Sequence, residues 1–486
     1  MPPMDDAVRA RPDRLSKVQH QAVGELLRVA PVADELGRRF EDAGHHLALV
    51  GGSVRDALLG RLGNDLDFTT DAPPEVVQRL LRGWADSQWD VGIAFGTVGA
   101  HKDDFTLEIT TYRAEAYDRA SRKPEVTYGD TLEGDLVRRD FTVNAMAVRL
   151  PGTTFVDPHG GLADLAAGVL RTPGTPESSF SDDPLRMMRA ARFAAQLGFT
   201  VAPEVVAAMT AMAERIEIVS AERVRDELVK LMLAPTPRTG LALLVDTGLA
   251  AHVLPEVPRL KLEVDEHHRH KDVYEHTLTV VEQAMDLEPE GPDFVLRFAA
   301  LMHDVGKPKT RRFEPGGGVS FHHHEVVGAK LTRKRMQALR FSNDVTDEVS
   351  ALVELHLRFH GYGTGEWTDS AVRRYVRDAG PLLGRLHRLT RADCTTRNQR
   401  KAAALARSYD DLERRIAALA EAEELASMRP DLDGDQIMAI LDVPPGRIVG
   451  EAYRHLLELR LDRGPLGAAD AEAELRAWYA AREARS

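Results

Sequence analysis

The stretch HHLALVGGSVRDALLG, residues 45–60, decides how the N-terminal part of this chain reads. The run His46–Val50 predicts a strand, Gly51-Gly52-Ser53 a turn, and a helix opens near Val54. Glycine lets a backbone come close to a phosphate, and the free N–H groups at a helix start favour an anion. Arg55, in the first helical turn, adds a charge for a phosphate oxygen. By itself this pattern also fits a plain strand–helix turn. The next strand candidate changes the reading. In Asn64-Asp65-Leu66-Asp67-Phe68-Thr69, alternation points Asp65 and Asp67 to one face, where two carboxylates repel unless a cation lies between them. Hard oxygen ligands at that spacing suit Mg2+, often held by one or two carboxylates together with substrate phosphates.

A lone Asp-x-Asp is most often solvated. Directly after a Gly-Gly phosphate turn it points to nucleotidyl transfer, in which metal ions activate a hydroxyl and stabilise departing pyrophosphate. Glu108 is a third candidate, in phase with Thr106 and Thr110 in the predicted strand Thr106–Thr110; a solvated strand residue is the alternative.

Outward from this core, residues 1–25 read as a loose polar leader. Val23, Leu26, Leu27, Ala30, Ala33, Leu36 and Phe40 follow a helical spacing. Asp67–Thr69, Thr97–Ala100 and Thr142–Ala147 read as further strands, the last strand ending near Val156. Asp157–Pro176, rich in Gly, Pro and Asp, reads as a connection. From Asp182 onward helical periodicity dominates, with Pro-rich stretches at Pro235–Pro237 and Pro255–Pro258 marking a boundary and Gly316–Gly318 a loop tip. The expected fold class is therefore α+β: a mixed head followed by a long all-helical body.

The chain has 486 residues, which suggests about three domains. A single cysteine, Cys394, excludes an intrachain disulfide and fits a reducing cytoplasm, the expected location. No run approaches the ~20 apolar residues of a membrane span, so no membrane partner is expected. The N-terminus lacks the apolar core of a secretory signal. Neither a GxxxxGK[ST] loop nor an HExxH pair occurs, so ATPase and zinc-protease readings lack support. The net charge of −13 argues, as a bulk number, against a nucleic-acid partner. The local pattern disagrees: residues 371–412 hold ten Lys or Arg against four Asp. Arg373, Arg374, Arg377, Arg397, Arg400 and Lys401 are candidates for an RNA-binding track, with a solvated helix face as the alternative. The run Pro444–Gly450 opens another helix, whose start is a weaker candidate for a phosphate contact.

Of 18 histidines, several fall on apolar helical faces. His276 lies three after Val273 and four before Val280. His303-Asp304 ends the apolar helix Phe294–Met302, His324 precedes a new helix, His356 lies four after Leu352, and Asp393 continues the stripe Leu382, Leu386, Leu389. One buried histidine is usually a satisfied core residue. Four histidines and two aspartates aimed at one helical core suit a divalent transition metal. Further upstream, Asp183, Arg186, Arg189 and Arg192 recur every three residues. Asp183 and Arg186, as helical neighbours, would present acceptor and donors together, enough to read the edge of C or A without a template; a surface ion pair is the alternative.

Several motifs in order resemble a family. Gly51-Gly52-Ser53-Val54-Arg55-Asp56 with Asp65-Leu66-Asp67, Arg138-Arg139-Asp140-Phe141-Thr142-Val143-Asn144-Ala145-Met146, Asp182-Asp183-Pro184-Leu185-Arg186-Met187-Met188-Arg189-Ala190-Ala191-Arg192-Phe193 and Glu222-Arg223-Val224-Arg225-Asp226-Glu227-Leu228 resemble the metal, ribose, nucleotide-selecting and neck motifs of bacterial-type (class II) CCA-adding tRNA nucleotidyltransferases. Poly(A) polymerases share that head. Asp182 departs from the pattern, which more often has Glu. The resemblance implies a polymerase-β-like head, with Asp65, Asp67 and Glu108 as catalytic carboxylates. It implies that Gly51, Gly52, Ser53, Arg55, Arg139, Asp140, Asn144, Asp183, Arg186, Arg189 and Arg192 bind the nucleotide. His276, His303-Asp304-Val305-Gly306-Lys307 and Asp393 resemble the HD phosphohydrolase set, with His324 and His356 matching its two-metal members.

These resemblances imply addition of C, C and A to the tRNA 3′ end from CTP and ATP, with Mg2+ at the head and a second divalent metal at the HD site. A metal-dependent phosphohydrolase activity accompanies it. The alternatives are a poly(A) polymerase, a CC-only or A-only enzyme, or a phosphohydrolase with an RNA-binding head. The full polar loop from Thr111 to Leu136 favours complete CCA addition. The expected partition is a leader and helix (1–44), head (45–175), neck (176–250), HD-type body (251–400) and tRNA-binding tail (401–486).

Overall fold

The computed structural model describes residues 25–483 except 26–27, 30, 91, 94–95, 113–130, 153, 263–272, 316–318, 360–361, 363–366, 396–397 and 424–428. The leader, most of the Thr111–Leu136 loop, the Gly316–Gly318 tip and Arg397 thus lie outside the described residues. The chain divides into two compact units, Met1–Pro258 and Arg259–Ser486.

In the first unit a seven-stranded sheet runs in the order β3-β4-β5-β2-β1-β6-β7. The strands are β1 Leu47–Val50, β2 Asp65–Thr70, β3 Ser87–Trp89, β4 Thr97–Lys102, β5 Phe105–Thr111, β6 Ala147–Leu150 and β7 Thr154–Val156. Only β2 and β5 pair parallel; the other neighbours are antiparallel. β1 is apolar and buried at every position, as a strand covered on both faces must be. Residues 31–42 are helical and bury Leu36 and Phe40. The β3 strand escapes sequence reading because Ser87 and Gln88 are exposed and carry no apolar alternation, whereas β7 ends at Val156, where the last strand was expected to end.

Two expectations are corrected here. Thr142–Ala147 is not one strand: Thr142–Asn144 is a 3₁₀ turn, and β6 begins at Ala147. That turn aims Asn144 inward, where its amide is hydrogen-bonded. The Asp157–Pro176 connection contains the helix Gly161–Ala167. The Asp157 carboxylate accepts from the N–H groups of Gly161 and Leu162 and so starts it. A second small pairing, Val169–Leu170 with Thr200–Val201, encloses the helices Pro176–Asp182 and Leu185–Leu197 of an otherwise all-helical run. In that run the Leu185–Leu197 helix packs against Ala221–Met232 and Pro237–Asp246.

The second unit is helical. Val273–Met285, Phe294–Met302, His324–Ala338, Asn343–Leu355 and Leu383–Ala392 surround a core that includes Leu278, Phe298, Leu352 and Leu386. The helices Gly434–Leu441, Arg447–Arg463 and Ala468–Glu483 close on a core of their own, Leu432, Ile437, Ala452, Leu456, Ala471 and Leu475. Asp433 and Gln436 exchange hydrogen bonds across the first of these helix starts, a capping box. No helix among the described residues is long and apolar enough to cross a membrane.

Candidate functional site

In the head, the parallel pairing of β2 with β5 sets Asp65 opposite Thr106 and Asp67 opposite Glu108. Alternation then puts all three carboxylates on one face, as the spacing predicted for the aspartates. Burial, together with Glu108 and Asp65, lifts the Asp67 carboxyl to about 6 against the pull of Arg139 and Arg55. Three carboxylates on one face, one of them hard to ionise, form an oxygen set that a divalent cation would suit. The Gly51 turn supports it. Gly51 has φ 67°, and a Cβ there would lie 2.8 Å from Arg139 Nη1, so the guanidinium crosses the turn itself.

Behind this face runs a continuous polar network. Arg55 Nη1 donates to Asn144 Oδ1 at 2.6 Å, and Asn144 Nδ2 donates to Asp140 Oδ1 at 2.9 Å. Arg189 Nη2 lies 2.6 Å from Asp140 Oδ2, and Arg139 is held by Asp135 at 3.0 Å. Against burial, which acts upward, Arg189 holds the Asp140 carboxyl below its ordinary range. Arg55, Arg189 and Arg192 all approach the Phe193 ring, at 5.2, 5.7 and 3.8 Å. Arg55, Arg139, Asp140, Asn144 and Arg189 are thus brought together.

Four candidates stand differently. Ser53 is buried, and its hydroxyl accepts from the Asp67 N–H at 2.8 Å, fixing the turn to β2. Arg192 is buried and paired with Glu227 at 2.5 Å, a structural tie between two helices. Asp183 and Arg186 do not form one helical pair. Asp183 sits between helices, where its carboxylate accepts from the Leu185 N–H and from both Nη atoms of Arg223, at 2.8 and 3.4 Å. Arg186 donates instead to Ser179 Oγ at 2.8 Å and to the Arg138 carbonyl. Arg223 went unselected in the sequence because its partner lies 40 residues away and is set by tertiary packing; Asp135 stands four residues before Arg139, so that pair was readable from spacing and was not selected.

In the second unit His276, His303, Asp304, His324, His356 and Asp393 converge. Asp304 Oδ2 lies 3.3 Å from His303 Nε2 and 3.6 Å from His276 Nε2, and Asp304 Oδ1 lies 3.3 Å from His324 Nε2. Asp393 Oδ1 is 3.0 Å from His276 Nε2 and 3.5 Å from His303 Nε2. Two ligand groups result, His276–His303–Asp304 and Asp304–His324–His356, sharing one carboxylate.

The rings are set for metal. His303, His324 and His356 each place Nδ1 against a backbone carbonyl three residues back, at 2.8, 2.9 and 2.6 Å. A carbonyl only accepts, so each proton sits on Nδ1 and each Nε2 lone pair faces inward. Those three Nε2 atoms are buried with no hydrogen bond among the described residues. The donor set, imidazole nitrogens with carboxylate oxygens, would suit divalent metal, and Asp304 is common to both groups. Burial pushes His356 down to about 3, which keeps its ring neutral. Lys307, three residues after Asp304, donates to its Oδ2 at 2.9 Å; the i, i+3 spacing was readable, and the residue was not selected.

The basic track is largely engaged. Arg373 is buried and donates to the Leu461 carbonyl, while Arg374 pairs with Glu458 and Asp462 and Arg377 with Asp378 and Glu458. These arginines join the Asp369–Ala379 helix to Arg447–Arg463, and Arg374 and Arg377 keep part of their side chains at the surface. Arg400 and Lys401 remain exposed.

Three family models match in chain order. The poly A polymerase head domain covers residues 47–171, the "probable RNA and SrmB-binding site of polymerase A" covers 198–260, and the HD domain covers 273–426. The A-adding tRNA nucleotidyltransferase of Deinococcus radiodurans is 36% identical over 85% of this chain and 91% of its own. The CC-adding tRNA nucleotidyltransferase of Thermus thermophilus is 32% identical over 90% and 94%. The crystal structure of the Bacillus stearothermophilus CCA-adding enzyme in complex with CTP matches at a TM-score of 0.66 and 26% identity, covering 93% of this chain and 98% of that one. Identity of this order, sustained across nearly the whole of both chains, means that the chain belongs to the tRNA nucleotidyltransferase family of CCA-adding enzymes and carries an HD domain.

Proposed function

We propose that this chain adds C, C and A to the tRNA 3′ end without a template, using CTP and ATP and releasing pyrophosphate. The observation that carries this reading is the carboxylate face, with Asp67 and Glu108 in register and Asp65 two residues along. Mg2+ bound there would activate the ribose 3′-hydroxyl and offset charge on the leaving pyrophosphate. Arg139, lying over the Gly51 turn, is placed for the triphosphate, and Arg189, anchored by Asp140, for the nucleotide. Arg186 and Asp183 remain the base-reading candidates, each now with a different protein partner to exchange for the base.

A second reading is addition restricted to CC or to A, because two relatives matching nearly end to end carry those names. The test extends a tRNA lacking CCA, and one ending in CC, with CTP, ATP or both. Growth by CCA supports the first reading, growth by CC alone or A alone the second, and a long A tail overturns both in favour of a poly(A) polymerase. Asp65→Ala or Asp67→Ala should abolish incorporation; retained activity refutes their assignment.

The HD cluster we assign as a dinuclear site that hydrolyses phosphate esters. Bound divalent ions would supply the activated water. His276, His303, His324, His356, Asp304 and Asp393 would hold them. Hydrolysis of bis-p-nitrophenyl phosphate with Mn2+, Co2+, Ni2+ or Mg2+ tests it, and a folded protein inactive with all four refutes it.

A further inference from the structure

Between two of the proposed metal ligands, Asp304 and His324, the chain makes an excursion that ligand geometry does not require. It passes through the short helix Lys307–Thr310 into the paired strands Arg312–Phe313 and Val319–Ser320. Both ends of this hairpin are pinned at the cluster. Gly306 packs so tightly that a Cβ there would lie 2.0 Å from the His324 carbonyl oxygen. Lys307 binds Asp304 and sits 5.6 Å over the ring of Phe321, which is buried at the hairpin base.

The strands themselves are exposed and carry an unusual side-chain set. Phe313 is 77% exposed, more than any other large apolar side chain among the described residues. A strand of two residues gains nothing in folding from an uncovered phenyl ring. Arg311 lies 5.3 Å over that ring, and Arg312, His322 and His323 are exposed nearby in the chain. The one acid on these strands, Glu314, accepts from Ser320 Oγ at 2.5 Å. An aromatic face flanked by guanidinium groups holds single-stranded nucleic acid well: a base stacks on the ring and the cations meet the backbone. From His324 back to Val319 is five residues, at most about 17 Å of extended chain, so the ring stays near the ester-cleaving centre.

We propose that this hairpin is a base-stacking platform that makes the HD site selective for phosphate esters at RNA 3′ ends. Phe313 stacks the base next to the reacting phosphate, and Arg311 and Arg312 meet the adjoining phosphates. The proposal rests on the hydrolase reading of the HD cluster. In opening a terminal 2′,3′-cyclic phosphate, the oxygen of water forms the new P–O bond. One ribose–oxygen–phosphorus bond breaks, and the proton goes to the ribose oxygen released.

The test uses the full chain loaded with Mn2+ and two esters, a short RNA ending in a 2′,3′-cyclic phosphate and base-free bis-p-nitrophenyl phosphate. Phe313→Ala should lower kcat/KM on the RNA roughly tenfold, leave the base-free ester unchanged, and be rescued by Phe313→Trp. Equal loss on both esters, or no loss on either, overturns the platform. A second readout needs no turnover: an RNA with 4-thiouridine at its 3′ end is photo-crosslinked and the adducts are mapped by mass spectrometry. Adducts at Arg311–Phe313 support the platform even if neither ester is cleaved, a result that would refute only the hydrolase reading. Adducts confined to residues 25–258 overturn it.

Discussion

Asp67 carries a sign that can be measured. Burial, with Glu108 and Asp65 beside it, raises its carboxyl to about 6. The folded protein therefore holds this proton more tightly than the unfolded chain does. Its contribution to stability is present below the ordinary carboxylate range and is lost as pH rises through about 6. Mg2+ binds the ionised form, so it should raise Tm more at pH 7 than at pH 5, by calorimetry. In Glu108→Gln the pH at which this Mg2+ effect fades should fall, since one repelling charge is gone; an unchanged pH would count against the shared face. Arg192 and Glu227 make the opposite kind of point. Both side chains are buried, and Glu227→Ala leaves the guanidinium without its carboxylate partner, with Gln196 still accepting from it. The expected loss is about 3–5 kcal/mol in denaturant unfolding, whereas a cost below about 1 kcal/mol would mean the pair is hydrated. Asp65 and Asp67 were legible because strand alternation is a local rule. The burial of Arg192 was not, because its partner lies 35 residues away.

At the scale of elements, the Leu185–Leu197 helix explains where the three-residue spacing misleads. Each step of three residues turns about 60° short of a full circle, so Arg186 and Arg192 end about 120° apart around the axis. One side meets Ser179 and Arg138, the other meets Glu227. Asp183 lies outside this helix and is clamped by Arg223 from Ala221–Met232. That clamp fixes the carboxylate that the base is proposed to meet. Arg223→Ala should therefore change the ratio of kcat/KM for CTP over ATP severalfold, with Arg223→Lys closer to the parent. A uniform fall for both nucleotides would assign Arg223 to support of the helix alone. The strand–turn–helix at 47–58 followed from its own residues. β3 did not, since pairing at a sheet edge needs no apolar signal.

At the scale of the molecule, the first compact unit holds the carboxylate face of β2 and β5, and the second holds both histidine–aspartate groups. Asp304→Ala should abolish ester hydrolysis and leave nucleotide addition within about twofold, as read by parallel assays on one preparation; joint loss would show that the two activities depend on each other. The histidine constellation was legible because ligands on apolar helical faces violate an otherwise regular stripe. In the basic segment 371–412 a count of charges shows the excess but not the partners, which only the packing supplies. Arg374, Arg377, Arg385 and Arg391 are all engaged by carboxylates. A net charge of −13 is thus compatible with binding RNA, since much of both signs cancels internally.

The tight packing of Gly306 on the His324 carbonyl has one more consequence. It fastens the two ends of the hairpin to each other, so everything between them behaves as an appendage on a closed ring. Residues can be added or removed beyond Phe313 and Val319 at an entropic cost that grows only slowly with length. The excursion is therefore a graft point, where a different loop can be spliced in and a new preference acquired while the histidines beneath it keep their positions.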